Sequence, residues 1–258
     1  MRSPEILVGD DIGEAFATYL TERAYDASCL FISGGTTGPQ LFAQLINNAA
    51  VLTVFTSLVI AQVDERVVPT DNTDSNHYRF RVDFLDKLQP EIVAATDFRP
   101  MVGADIDAEI SKSYEGRSIE REPERSDVLL MSQLRANGLK ISDHYEELTR
   151  RYIQDAVVHL GIGPDGHIAS LFPNSEALES TRYVDINFDR SGTNKHRRTT
   201  LTFESIMKAR QVVVVASGER KAEIIRKVLS SNDLPASRLL TRDTTWLLDK
   251  EAARDISK

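Results

Sequence analysis

Apolar residues in Ile12–Arg23 recur at helical spacing and place Ala15, Phe16, Tyr19 and Leu20 on one face, which predicts an amphipathic helix. A wholly apolar run, Cys29–Ile32, follows and stops at Ser33-Gly34-Gly35. A second helical pattern covers about Pro39–Asn47, and Ser57–Val63 reads as a buried strand ending at Asp64-Glu65-Arg66. Polar residues fill Thr70–Ser75 before a helix expected from Asn76 to Leu88. Further on, the pattern predicts a helix near Asp143–Tyr152, a strand at Ala156–Leu160, and a glycine-containing turn with a short helix over Gly161–Pro173. It closes with a strand at Val212–Ala216, a helix at Glu219–Leu229 and an end segment around Trp246–Leu248. Apolar strands that alternate with helices, each closing in a glycine or polar turn, predict an α/β fold: a mostly parallel sheet flanked by helices on both faces.

Ala104–Leu139 interrupts this rhythm. It is charge-rich, carries the run EGRSIEREPERSD (Glu115–Asp127), and has only a short apolar patch at Val128–Met131. It reads as a loop excursion with one helix, solvated along its charged face. The whole chain, 1–258, is then expected to form a single domain.

The 31 basic and 39 acidic residues leave a net charge of −8, which opposes binding to nucleic-acid backbones. An anionic substrate would need its own local positive charge. The single cysteine, Cys29, lies in an apolar run and reads as a buried structural thiol. No apolar stretch has the length of a membrane helix, and the N-terminus lacks a signal-peptide core, so a cytoplasmic protein is expected. His77, His144, His159 and His196 show no metal spacing such as HExxH, so no metal is expected.

Open α/β sheets gather ligands beyond the carboxyl ends of their strands. Four such ends here carry polar chemistry. SGGTTGP (Ser33–Pro39) leads into a helix. Its glycines allow close backbone approach, the helix N-terminus offers free N–H groups, and Ser33, Thr36 and Thr37 add hydroxyls. It fits a phosphate cradle or an ordinary strand-to-helix turn, and it lacks the GxxxxGK[ST] pattern of nucleotide triphosphate loops. VDERVVP (Val63–Pro69) delivers Asp64, Glu65 and Arg66 together, either as acid, base and anion clamp or as a mutual ion-pair cluster.

The third end, HLGIGPDGHIASLFP (His159–Pro173), contains Gly161, Gly163 and Gly166 in GxGxxG spacing, with Asp185 roughly 20 residues beyond. Pro173 permits barely two turns of helix, however, and Pro164, Asp165 and His167 crowd the turn where a pyrophosphate needs bare backbone. Proton transfer by Asp165 and His167 is the better reading, with a capping aspartate and a structural histidine as the alternative. The fourth group, Arg197, Arg198, Arg220 and Lys221, can supply the missing positive charge, although at least two of these are expected to be merely solvated.

Taken in order, these segments resemble the 6-phosphogluconolactonase family over nearly the whole chain except about Ala104–Leu139. SGGTTG resembles that family's SGGxTP loop, with an extra Gly38 ahead of Pro39. Val63–Asn76 resembles its DERxVP…SN segment, and Gly161–Pro173 its GxGxDGHxASLFP signature. Arg198 stands in an RxTLT pattern, Gly218–Lys221 in GxxK, and LPAS (Leu234–Ser237) and WLLD (Trp246–Asp249) also agree. Glucosamine-6-phosphate deaminases share the GIGxxGHIA start but continue with asparagine, glutamate and proline, where this chain has Ser170-Leu171-Phe172-Pro173.

The resemblance implies a modified Rossmann-like, glucosamine-6-phosphate deaminase-like fold. It also implies cofactor-free hydrolysis of 6-phospho-D-glucono-1,5-lactone to 6-phosphogluconate, in the oxidative pentose phosphate pathway. His167 would take a proton from water, Asp165 would orient its ring, and Arg66 would stabilise the oxyanion or bind the phosphate. The phosphate would rest on Ser33, Gly34, Gly35 and Thr36 with Arg198 and Lys221. Asp64 corresponds to a catalytic base in the deaminase resemblance. The competing readings are an amino-sugar phosphate deaminase or isomerase and a non-catalytic sugar-phosphate-binding module. The module reading predicts a DNA-binding helix pair, for which the segment before Cys29 is short and acidic. Protein partners are not legible.

Overall fold

The computed structural model describes residues 4–34, 38–115, 128–189, 191, 193–194, 196–231 and 233–256. Its strands are β1 (Glu5–Gly9), β2 (Cys29–Ile32), β3 (Val59–Gln62), β4 (Asp64–Arg66), β5 (Asp97–Arg99), β6 (Ala156–Leu160), β7 (Val184–Asn187), β8 (Arg198–Leu201), β9 (Gln211–Ala216) and β10 (Thr245–Asp249). Seven of them form a sheet ordered β1-β10-β9-β6-β2-β3-β5, parallel at every pairing. A second sheet, β4-β8-β7, is antiparallel.

The helices are α1 (Ile12–Arg23), α2 (Gly38–Leu45), α3 (Ala49–Ser57), α4 (Asn76–Asp83), α5 (Pro90–Ala95), α6 (Ala104–Ser113), α7 (Val128–Tyr152), α8 (Phe203–Ile206), α9 (Ala222–Ser230) and α10 (Lys250–Ala253). Strand alternation explains why they cover both faces. In β2, Leu30 and Ile32 pack with Phe16, Leu20, Phe42 and Phe55 of α1–α3, whereas Cys29 and Phe31 pack with Ile110, Leu134 and Ile141 of α6 and α7. Cys29 is buried as expected, and burial drives its thiol pKa far up.

Three expectations change. The excursion over 104–139 is helical at both ends: α6 lies in it, and the patch Val128–Met131 opens α7, whose 25 residues run on to Tyr152. Leu130, Leu134, Ile141 and Tyr145 repeat at helical spacing and are buried, so α7 is held by packing despite its charge. It lies against α6, β7 and β8. Residues 116–127, most of the charge run, are outside the described residues. Likewise, Gly161–Pro173 contains no helix. Gly166 (φ 80°) and Ala169 (φ 49°) stand in the left-handed region, and a single bridge, Ile168 to Leu171, closes the turn.

The helix predicted for Asn76–Leu88 ends at Asp83, where Phe84 leaves helical geometry (φ −130°) and a short 3₁₀ turn follows. In the large sheet, chain order reverses around β2, which lies between β6 and β3. The crevice between the carboxyl ends of β2 and β6 is therefore the expected ligand position. Ser33 and Gly161 follow those two ends.

Candidate active site

A cleft of about 230 Å³ opens at this crevice, lined by Ser33, Asp64, Arg66, Asn76, His159, His167, Ser170, Phe172, Asn194, Arg198 and Lys221 among others. Of the predicted residues, Ser33, Asp64, Arg66, His167, Arg198 and Lys221 meet there. Asp165 is tied to His167, and Gly34 lies against Asn76. Gly35 and Thr36 are outside the described residues. Of the four cations in the basic group, Arg220 is exposed and Arg197 turns to the Phe188 ring, 5.6 Å from its centroid.

The turn after β6 sets the histidine. The Gly163 amide donates to the His167 carbonyl at 2.9 Å, and the His167 ring lies so close that a Cβ on Gly163 would stand 2.1 Å from Cε1. Only glycine admits this approach. His167 Nδ1 is 2.5 Å from Asp165 Oδ1, and the Phe172 ring stands edge-on to the imidazole at 5.0 Å. Hydrogen bonding by a carboxylate at Nδ1 assigns the proton to that nitrogen and leaves Nε2 as the basic one. Burial pulls Asp165 upward, but the hydrogen bond and charge of His167 outweigh it, leaving its pKa below the usual value.

Lys221 Nζ donates to the Ile162 carbonyl at 2.5 Å, beside this turn. Burial lowers its pKa, against the opposing charge of Asp165. Its loop is held by Asp249, which accepts from Ser217 Oγ (2.5 Å), the Gly218 amide (2.8 Å) and the Ala252 amide (2.7 Å).

The small sheet delivers the arginines. Arg66 and Arg198 are paired residues on antiparallel β4 and β8. Arg198 is 6% exposed, and its pKa falls to about 10, first through burial and then through the charge of Arg66. The Nε atoms of both are buried without a partner among the described residues. One buried and one half-buried guanidinium, each with an Nε–H to spare, form a cationic pair suited to holding an anion.

The run Asp64-Glu65-Arg66 divides its labour. Asp64 faces the cleft and accepts from Ser170 Oγ (2.6 Å) and Asn76 Nδ2 (3.2 Å). Glu65 points away and accepts from five donors: Gln62 Nε2, Ser75 Oγ and the amides of Arg66, Asn76 and His77. Neither sequence alternative, acid–base group or surface ion-pair cluster, describes Glu65, which is a buried anchor for the start of α4.

Sequence reasoning missed His159 and Asn194 as cleft residues. His159 is buried, its Nδ1 accepting the Ser33 amide at 3.3 Å, and burial lowers its pKa to about 3. An imidazole inside an apolar strand, one residue short of the glycine turn, was the available signal. Asn194 belongs to a loop gathered by Asp189, which accepts from the Ser191 amide and hydroxyl and from the Asn194 amide and side chain. Among the described residues, no three His, Cys, Asp or Glu side chains converge as a metal-ligand set, and no helix is long and apolar enough to cross a membrane.

A family model for glucosamine-6-phosphate isomerases/6-phosphogluconolactonase matches residues 8–247. The chain belongs to this family. It is 27% identical over 237 residues to the 6-phosphogluconolactonase of Mycobacterium leprae, covering 90% of this chain and 87% of that one. Its fold is shared with the 6-phosphogluconolactonase of Trypanosoma brucei (TM-score 0.73, 23% identity, 99% of this chain and 100% of that one). It is also shared with a monomeric glucosamine-6-phosphate deaminase (TM-score 0.67, 20% identity, 98% of this chain and 100% of that one). The fold thus accommodates both reactions, and the choice between them rests on the site.

Proposed function

We propose that this chain hydrolyses 6-phospho-D-glucono-1,5-lactone to 6-phosphogluconate, with His167 as general base. The observation that carries the reading is His167, held by Asp165 at 2.5 Å and lining the same cleft as Arg66, Arg198 and Lys221. A lactone carbonyl is already electrophilic, so the protein needs to activate water and hold the anion. Nε2 of His167 takes a proton as water oxygen bonds to C1, and Asp165 stabilises the imidazolium that forms. The tetrahedral oxyanion then collapses, the bond from C1 to the ring oxygen breaks, and the imidazolium returns the proton to that oxygen. Ser33, Lys221 and the paired Arg66 and Arg198 are assigned to the phosphate.

The deaminase reading is disfavoured by Ser170. Its hydroxyl donates to Asp64, the carboxylate that would have to act as base in a deaminase. The test is hydrolysis of freshly generated lactone above the spontaneous rate, alongside ammonia release from glucosamine 6-phosphate. His167→Ala is expected to keep 6-phosphogluconate binding and lose roughly 10²–10⁴-fold in turnover, together with the acid limb of the pH–rate profile. A folded His167→Ala protein within tenfold of wild type would overturn the histidine-base mechanism, and ammonia release by the wild type would overturn the lactonase reading.

A further inference from the structure

The Arg66–Arg198 pair poses an electrostatic problem that the cleft residues named so far do not solve. Like charges directly opposite each other on paired strands repel. Three carboxylates act on Arg198 in the opposite sense: Asp64, Glu65 and Asp74. Asp64 and Glu65 are buried and already engaged by neighbouring donors. Asp74 is different. Its side chain is half exposed, and its main-chain carbonyl accepts directly from Arg66 Nη1 at 2.6 Å.

The carboxylate of Asp74 is held from across the cleft wall. His196 Nε2 lies 2.9 Å from Asp74 Oδ2, an interaction between residues 122 positions apart. The His196 side chain is buried, and its backbone stands at φ 68°, in the left-handed region, two residues before Arg198 opens β8. A bulky residue kept in that conformation is strained unless the surroundings hold it there, and such strain concentrates at functional sites. The same two loops are pinned by the Val67 amide, which donates to the Arg197 carbonyl at 2.9 Å.

We propose that His196 and Asp74 are positioning residues that hold Arg66 and Arg198 together as one anion clamp. Asp74 anchors Arg66 through its carbonyl and supplies counter-charge through its carboxylate, and the imidazole fixes that carboxylate by donating Nε2–H. A neutral donor suits the task, because a lysine or arginine at this position would add a third positive charge beside the pair. Burial, the larger influence, and the two arginines lower the pKa of His196, while Asp74 raises it. Neither residue touches the substrate in this arrangement. The inference rests on the phosphate-ester lactone reading of the cleft.

The test compares His196→Gly, which accepts φ 68° and removes the donor, with His196→Gln, whose amide reaches to the position of Nε2. 6-Phosphogluconate affinity by calorimetry and KM for the lactone are measured well below each variant's melting temperature. His196→Gly is expected to weaken product binding and raise KM by about tenfold, the effect of displacing one charge-assisted hydrogen bond from the anion. His196→Gln is expected to recover most of that affinity. Unchanged affinity and KM in a destabilised His196→Gly protein, or no recovery in His196→Gln, would overturn the proposal. If the wild type fails to turn over the lactone, the functional reading fails by itself, and inorganic phosphate binding then decides the clamp. Weaker phosphate binding by His196→Gly than by wild type supports it, whereas equal binding, or none by either protein, overturns it.

Discussion

Replacing Glu65 by glutamine removes one oxygen acceptor from a buried hub and inserts an NH₂ group among donors. Oε1 serves the amides of Arg66 (2.7 Å) and Asn76 (2.6 Å), while Oε2 serves Gln62 Nε2 (2.9 Å), Ser75 Oγ (3.1 Å) and the His77 amide (2.7 Å). If the new NH₂ takes the Oε1 place, two main-chain donors lose their acceptor. If it takes the Oε2 place, the Ser75 hydroxyl can turn to accept, but Gln62 and His77 cannot. The Gln62 amide cannot flip freely, because its Oε1 already accepts the Met101 amide at 2.7 Å. Either way two buried donors are stranded, at about 1–3 kcal/mol each, so Glu65→Gln should cost roughly 2–6 kcal/mol. At about 2–4 °C per kcal/mol for a chain of this size, a mid-range loss lowers Tm by about 8–16 °C. Urea denaturation read by tryptophan fluorescence checks this, since Trp246 is the only tryptophan and is fully buried. A loss below about 1 kcal/mol with an unchanged m-value would refute the account of Glu65 as the anchor of this corner.

Arg198→Ala removes a buried guanidinium and should weaken 6-phosphogluconate binding by the roughly 1.5–3 kcal/mol of one charge-assisted hydrogen bond, measured by calorimetry on the folded variant. Unchanged affinity would take Arg198 out of the anion site. His159 should make stability fall as pH drops. Its folded pKa of about 3 lies below the unfolded value of roughly 6.5, so between those two values the unfolded chain binds a proton that the folded one refuses. Its contribution is intact above about pH 6.5 and is lost at up to ~1.4 kcal/mol per pH unit below that. Urea titrations of wild type and His159→Gln from pH 7 to 4 should diverge accordingly, and parallel curves would refute the assignment.

The parts of the fold legible in the sequence were those whose burial is local and periodic. Ile12–Arg23, Cys29–Ile32 and Ala156–Leu160 match α1, β2 and β6, because an amphipathic stripe or a run buried on both faces leaves a pattern in a few residues. The edge strands β1 and β5 and the small sheet β4-β8-β7 did not show. Their residues are mixed in polarity, and their pairing is decided by partners far along the chain, as with Arg66 and Arg198. Helix α7 was misread for a related reason: its charges conceal a stripe that becomes apparent only once α6, β7 and β8 supply the other side. In the site, His167, Asp165 and the cations were legible from motifs at strand ends. His159 left only the weak signal of an imidazole inside an apolar strand, whereas Asn194 and the link between Asp74 and His196 depend on loops brought together by the fold and have no local signature.

The pairing of β1 with β10 has a consequence for how the chain is made. The first strand runs parallel to the last, Glu5 beside Thr245 and Gly9 beside Asp249, and β10 in turn joins β1 to β9. During synthesis the N-terminal strand therefore waits for about 240 further residues, which at roughly 5–20 residues per second is on the order of 12–48 s. Throughout that interval the edge of β1 that β10 will pair has no neighbour, and once β9 is made it too lacks one of its two neighbours until β10 follows. Even in the finished protein Leu7 and Val8 remain 40% and 52% exposed. Chains released before Thr245 would thus present two open strand edges, the kind of surface that recruits other chains. Premature termination near the C-terminus should lead to aggregation more readily than the loss of a short peripheral segment would suggest.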